Sequence, residues 1–242
     1  TIPMYLSSGA SIDPNIATIL ERNNGEILIG TSGHSMFLLE TRGDSIKARQ
    51  ISRFISSNLI TYAYEDRKGN LWIATGDNGI FRFDKNNQSK HYSGEKDIAK
   101  NTVSSMCEDK QGNLYMSSLK KGLFIYDDKK DVFIPFTDTP NPDLPIKILY
   151  PGDQNEIFIG TDGSGMKVYD TQEQKIKEAN FNITTFNLKK AKVHSILKDK
   201  IGNIWLGFFQ KGVMIIPATT NEFKYMGYKS SVHNVIGSNC VM

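Results

Sequence analysis

One phrase occurs five times in this chain: carboxylate or polar residue, turn, Gly-Asn, apolar, aromatic, apolar, small, Thr. The fullest copy runs from Glu65 to Thr75 (EDRKGNLWIAT). Glu108 to Ser118 (EDKQGNLYMSS) and Lys198 to Phe208 (KDKIGNIWLGF) follow it closely, and Glu21 to Thr31 and Pro151 to Thr161 are weaker relatives. Turn positions Gly25, Gly69, Gly112, Asn155 and Gly202 lie 44, 43, 43 and 47 residues apart. Strand-like segments repeating every forty-odd residues mark a propeller with one blade per repeat. An all-β fold of four-stranded antiparallel blades follows, and 242 residues suffice for it as one domain.

The second repeat shows how a blade is written. Leu59 to Tyr64 is a β-branched and aromatic run, hence a first strand. Asp66 to Asn70 is a short hairpin loop in which Gly69 supplies positive φ and Asp66 accepts backbone hydrogen bonds. Leu71 to Thr75 is apolar on both faces, as a sheet sandwiched between neighbours requires. Ile80 to Phe83 is the third strand and Lys90 to Tyr92 a polar outer one. By the same pattern, third strands fall at Leu123 to Tyr126, Met166 to Tyr169 and Val213 to Ile216. Outer strands fall at Val132 to Phe136, Lys177 to Phe181 and Phe223 to Tyr228. The blades span 14–50, 57–93, 100–137, 144–182 and 191–228. Trp72 and Trp205 share one phase with Leu28, Tyr115 and Phe158, which makes them packing residues between blades. Thr1 to Leu6 reads as the outer strand of a partial blade, and residues 235–242 as the opening of another. The chain also begins without Met, so it reads as a piece of a larger ring.

Composition excludes several classes. Net charge is +3 with scattered lysines, so no basic stripe for nucleic acid is present. The run Lys189, Lys190 and Lys192 reads as a solvated loop. No apolar stretch is long enough to cross a bilayer, and no membrane contact is expected of this segment. Cys107 belongs on an inner strand as a small apolar residue, and Cys240 opens the matching strand of a sixth repeat, too far round to pair with it.

Taken together, Glu65, Asp66, Gly69, Asn70, Trp72, Thr75, Gly79, Phe83 and Asp84 resemble the two-component regulator propeller repeat. Glu108, Asp109, Gly112, Asn113, Gly122, Tyr126 and Asp127 repeat the match. Asp199, Gly202, Asn203, Trp205, Gly207 and Gly212 give a third copy. The resemblance spans essentially the whole chain. It departs at Pro151 and Gly152, which replace the Glu-Asp pair, and at Ser35, where Gly is expected. It implies the periplasmic sensing region of hybrid two-component histidine kinases of gut Bacteroidetes. In those proteins seven-bladed propellers precede a sandwich domain, a membrane helix and cytoplasmic signalling modules, and the signal is a glycan-derived oligosaccharide. A neighbouring propeller, the sandwich domain and a second copy of the sensor are the implied partners. The segment itself carries no signalling module.

An enzyme would need convergent acid, base or nucleophile positions. His91 falls on an outer strand and reads as solvated. His194 aligns with Thr61, Ser104 and Lys147 on the innermost strands. His34 falls in a loop between second and third strands; closure of five blades would bring it towards His194, and a larger ring would separate them. The streptogramin lyases, related propellers, suggest by resemblance a His base with a magnesium-bound substrate, but no cluster here has metal-ligand spacing. Asp66, Asp109 and Asp199 each sit beside a Gly-Asn turn once per blade, which reads as turn capping rather than calcium binding. Gly160 to Gly165 lacks the Lys-Ser/Thr and helix of a phosphate loop. No catalytic residue, cofactor or metal is expected. What remains is one set of loops that varies while the strands around it match. It supplies His34, Asp77, Asn78, Lys120, Lys121, Asp162, Phe209, Gln210 and Lys211, with His194 nearby, as a face for an oligosaccharide. A sulfated or uronic sugar would favour Lys120, Lys121 and Lys211. A lyase-like enzyme and a protein-interaction or dimerisation propeller are the competing readings.

Overall fold

The computed structural model describes residues 2–51, 54–55, 57–93, 103–137, 144–153, 155–179, 187–218 and 224–226. They divide into two compact units, Thr1–Val103 and Ser104–Met242. The expected opening of a sixth repeat, Cys240 and His233 lie outside the described residues.

In the first unit, strands β1 (Met4–Tyr5) to β6 (Ser45–Ile51) make one sheet. It includes β2 (Ser11–Ile12), β3 (Ile16–Glu21), β4 (Ile27–Thr31) and β5 (Met36–Arg42), in the order β2-β1-β6-β5-β4-β3. The second sheet is β7 (Ile60–Glu65), β8 (Leu71–Thr75), β9 (Ile80–Phe83) and β10 (Ser89–Tyr92), paired consecutively. Every residue of β8 is buried, as its uninterrupted apolar run requires. Leu28 and Met36 of the first sheet pack with Ile60, Leu71, Ile73 and Phe83 of the second. The Arg22 guanidinium of one blade also meets Glu65 of the next at 2.7 Å.

The second unit holds three more four-stranded meanders. The first is β11 (Val103–Glu108), β12 (Leu114–Ser118), β13 (Gly122–Asp127) and β14 (Val132–Pro135). The next is β15 (Ile146–Pro151), β16 (Glu156–Thr161), β17 (Met166–Asp170) and β18 (Lys175–Glu178). The last is β19 (Val193–Lys198), β20 (Ile204–Phe208), β21 (Gly212–Ile216) and β22 (Lys224–Met226). Tyr115 and Cys107 pack with Ile157, Ile159 and Tyr169 of the following blade. Phe158 packs with Val193, Ile196, Leu206 and Phe208 of the one after. The fold is therefore all-β, in the four-stranded blades of a propeller, and the large residues Leu28, Tyr115 and Phe158 face the next blade.

Each letter of the recurring phrase has a bond or a clearance behind it. The Asp66 carboxylate accepts the Asn70 backbone N–H, the Asn70 side-chain amide and the Trp72 indole N–H, each at 2.8 Å. Asp109 repeats this with Asn113 and the Tyr115 hydroxyl, and Asp199 with Asn203 and Trp205. The Asp series caps its turns, as read from the sequence. The small residue before the closing Thr keeps blades close: a Cβ on Gly160 would lie 2.5 Å from Ile148 and 2.8 Å from the Val193 carbonyl of the next blade.

Three placements differ from expectation. Of the partial blade expected at 1–6, the strand described is Met4–Tyr5, which belongs to the first blade's sheet. It pairs in parallel with β6 and turns back into β2, because Met4 is buried with Phe37 and Ala48 there and covers the open edge of β6. The outer strand expected at Lys177 to Phe181 is Lys175–Glu178. His91 is held rather than merely solvated: its ring stacks on Phe81 at 4.2 Å and its Nε2 lies 2.6 Å from the Asn78 carbonyl oxygen.

Candidate functional site

The loops after the second strands are built to be rigid at their roots. Thr31, Thr75 and Thr161 end β4, β8 and β16, and each hydroxyl donates to the carbonyl four residues on, at 2.9, 2.8 and 2.6 Å. The same hydroxyls accept the backbone N–H of His34, Asn78 and Ser164. In β12 Ser118 takes this place, accepting the N–H of Lys120. Backbone bonds then tie a loop to the following blade: Gly33 N–H to the Asn58 carbonyl and Gly165 N–H to the Ala191 carbonyl.

The first strands add a second device. In four blades the pairing with the second strand slips by one residue, at Ala17, Thr61, Lys147 and His194. Such bulges re-aim a side chain out of the ladder. His194 is thus the extra residue between Val193 and Ser195.

In the second unit these devices bring Asp162, His194 and Phe209 together, with Lys192 added. Asp162 follows β16, Lys192 directly precedes β19, and Phe209 follows β20. Asp162 and Lys192 form an isolated antiparallel bridge, and the Phe209 N–H donates to the Lys192 carbonyl at 3.0 Å. Lys192 Nζ lies 3.0 Å and His194 Nε2 3.4 Å from Asp162 Oδ1. Both contacts use Oδ1, leaving Oδ2 open to a donor. The His194 ring sits 5.1 Å from that of Phe209, and Lys192 Nζ lies 5.5 Å from the Phe209 ring centre. Burial pushes the Asp162 carboxyl up, but hydrogen bonds from Lys192 and His194 outweigh it and hold the group below the usual carboxylate range. The result is a fixed carboxylate, an ammonium, an imidazole and a flat apolar ring, all partly open to solvent.

The other expected residues are placed separately. Gln210 and Lys211 are exposed in the turn beyond Phe209, and Lys120 and Lys121 are exposed in the turn between β12 and β13. His34, Asp77 and Asn78 belong to the first unit. Asp77 Oδ1 accepts the Ser57 hydroxyl at 2.7 Å, and the His34 carbonyl accepts the Gln50 side-chain amide at 2.9 Å. Lys192 was missed as a site residue because it sits in a basic run that reads as solvated. Its complement, Asp162 in the preceding blade's loop, was the available signal. Leu188 to Lys190 form a single 3-10 turn that buries Leu188. Among the described residues no group of three His, Cys, Asp or Glu side chains is placed to hold a metal ion. No helix among them is long and apolar enough to cross a membrane.

This geometry sits on a frame seen in other proteins. Residues 55–77 and 97–120 match the family model of the two-component regulator propeller. Those two stretches resemble two-component regulator propeller repeats. No match was found among curated proteins. Among solved structures, the extracellular domain ascribed to a one component system of B. thetaiotaomicron superposes with a TM-score of 0.68 at 19% identity, over 90% of this chain and 32% of that one. The extracellular domain ascribed to a hybrid two component system of the same organism gives 0.59 at 16% identity, over 95% and 37%. A catalytically inactive virginiamycin B lyase from Staphylococcus aureus, solved with quinupristin, gives 0.64 at 15% identity, over 88% and 69%. The chain therefore spans about a third of the length of those extracellular domains, and the likeness is one of fold.

Proposed function

We propose that this segment is a non-catalytic part of the extracytoplasmic sensing region of a hybrid two-component histidine kinase, and that it takes part in recognising glycan-derived oligosaccharides. On this reading it lies in the periplasm, within a seven-bladed ring, beside a further propeller and a sandwich domain, in a homodimeric sensor. The observation that carries the reading is the group Asp162, Lys192, His194 and Phe209. A sugar ring offers an apolar face to Phe209, while its hydroxyls find an acceptor in Asp162 Oδ2 and a donor in Lys192, with His194 holding the carboxylate in place. The resemblance of two stretches to two-component regulator propeller repeats, and the likeness of fold to extracellular domains ascribed to one component and hybrid two component systems, support the same reading.

The test is calorimetry of the complete extracellular region against a panel of oligosaccharides. Phe209→Ala and Asp162→Asn are each expected to weaken the binding sugar by about tenfold, the loss of one stacked ring or one charge-assisted bond. Affinity unchanged in both variants, and in Lys120→Ala, rejects this face as the site.

A further inference from the structure

Strand alternation places another group of charges in the first unit. Residues two apart on a strand share a face, so Glu40 and Arg42 of β5 lie on one side, and Lys47 and Arg49 of β6 share a side likewise. The register sets Glu40 opposite Lys47, and Tyr5 of β1 opposite Arg49. Where the amino-terminal hairpin turns, a cavity of about 570 Å³ opens, lined by Tyr5, Leu6, Ser7, Gly9, Arg42, Lys47 and Arg49. Three lining residues are cationic and none is acidic. Glu40 answers only two of the cations, with Arg49 at 2.6 Å and Lys47 at 3.9 Å. Arg42 makes no ion pair with any described residue, Asp44 in the neighbouring turn included.

Lysine and arginine on an outer strand guard a sheet edge against pairing with another chain. That role is already served here, because the edge of β6 is covered by β1. It also calls for no concavity and no aromatic wall. Cations on neighbouring strands of one face repel each other, and a bound anion removes that repulsion.

We propose that this cleft binds a small organic anion, bearing a carboxylate, sulfate or phosphate group on a ring that lies against Tyr5. Arg42 and Arg49 supply forked donors to the oxyanion and Lys47 a point charge. The volume falls in the range of ligand pockets, about 300 to 1,000 Å³, which is room for a disaccharide. The site shares no residue with the Asp162 group and does not depend on the sensor reading.

The experiment titrates the full chain with digalacturonate, a sulfated disaccharide, inorganic phosphate and neutral cellobiose. At least one anion is expected to bind, less tightly as salt rises, while cellobiose does not. Preference among the three anions then assigns the oxyanion. Arg42→Ala, which breaks no described ion pair, is expected to weaken binding by about tenfold with the melting temperature unchanged. Lys175→Ala, at an exposed lysine outside both groups, is expected to bind as wild type. The proposal is overturned if no anion binds by about 10 mM, if cellobiose binds equally, if Arg42→Ala binds as wild type, or if Lys175→Ala weakens binding as much as Arg42→Ala.

Discussion

Asp66 serves three donors with one carboxylate, and the Trp72 indole beneath it is buried. Asp66→Ala strands those donors, and a buried donor without a partner costs about 1 to 3 kcal/mol. A urea melt of the variant is expected to show a loss of that size. Ser35 points the other way. It holds φ at +65°, a conformation its counterparts Gly79 and Gly165 adopt without a Cβ. Ser35→Gly is expected to raise stability by up to about 1 kcal/mol, the left-handed penalty of a side-chain-bearing residue. Asp162 gives a pH signature. Its carboxyl is held down in the folded state, so its contribution is present above the ordinary carboxylate value and is lost as pH falls through the depressed one. Asp162→Asn is therefore less stable than wild type at neutral pH, and the gap closes in acid; a gap that widens on acidification contradicts the assignment. Cys107 is buried among apolar neighbours, and burial raises its thiol well above the usual range. In a Cys240→Ser background it is expected to resist thiol reagents until the protein unfolds.

At the scale of strands and blades, close approach governs. A side chain at Gly160 runs into Ile148 of its own blade and the Val193 backbone of the next. Gly160→Val is expected to destabilise by about 1 to 3 kcal/mol or more, as overpacking does. Hydrogen exchange is expected to quicken first across β15, β16 and β19, where those contacts lie. The same spacing explains why the repeat was readable. An Asp that must hold its indole is a demand satisfied within one copy, and a residue that must be small and a large one that must fill the gap answer a demand that returns at each boundary between blades. The amino-terminal hairpin was not readable in this way. Its parallel partner β6 lies about forty residues away, and no repeat exists to compare it with.

For the molecule as a whole, the blade architecture and nearly every inner strand were legible because period, alternation and turn residues agreed. The site was legible only in part. Asp162, His194 and Phe209 were picked out as loop and inner-strand positions, yet nothing in the sequence joined them. Their meeting depends on a one-residue slip at His194 and on backbone bonds between consecutive blades, neither of which leaves a composition signal. Lys192 was hidden by its lysine neighbours, and the basic cleft by the distance in sequence between Tyr5 and Arg42.

The threonine roots have a practical corollary. Because Thr31, Thr75 and Thr161 fasten their corners through hydroxyl and main chain alone, the side chains of His34, Asn78 and Ser164, whose N–H groups those hydroxyls hold, are free to vary without disturbing the sheets, whereas a Cβ on Gly76 would lie 2.5 Å from Leu59 and Asp162 is ion-paired. Randomising those three positions would amount to redecorating a chassis: melting behaviour should hardly vary across such a library, while what its members capture could be selected afresh.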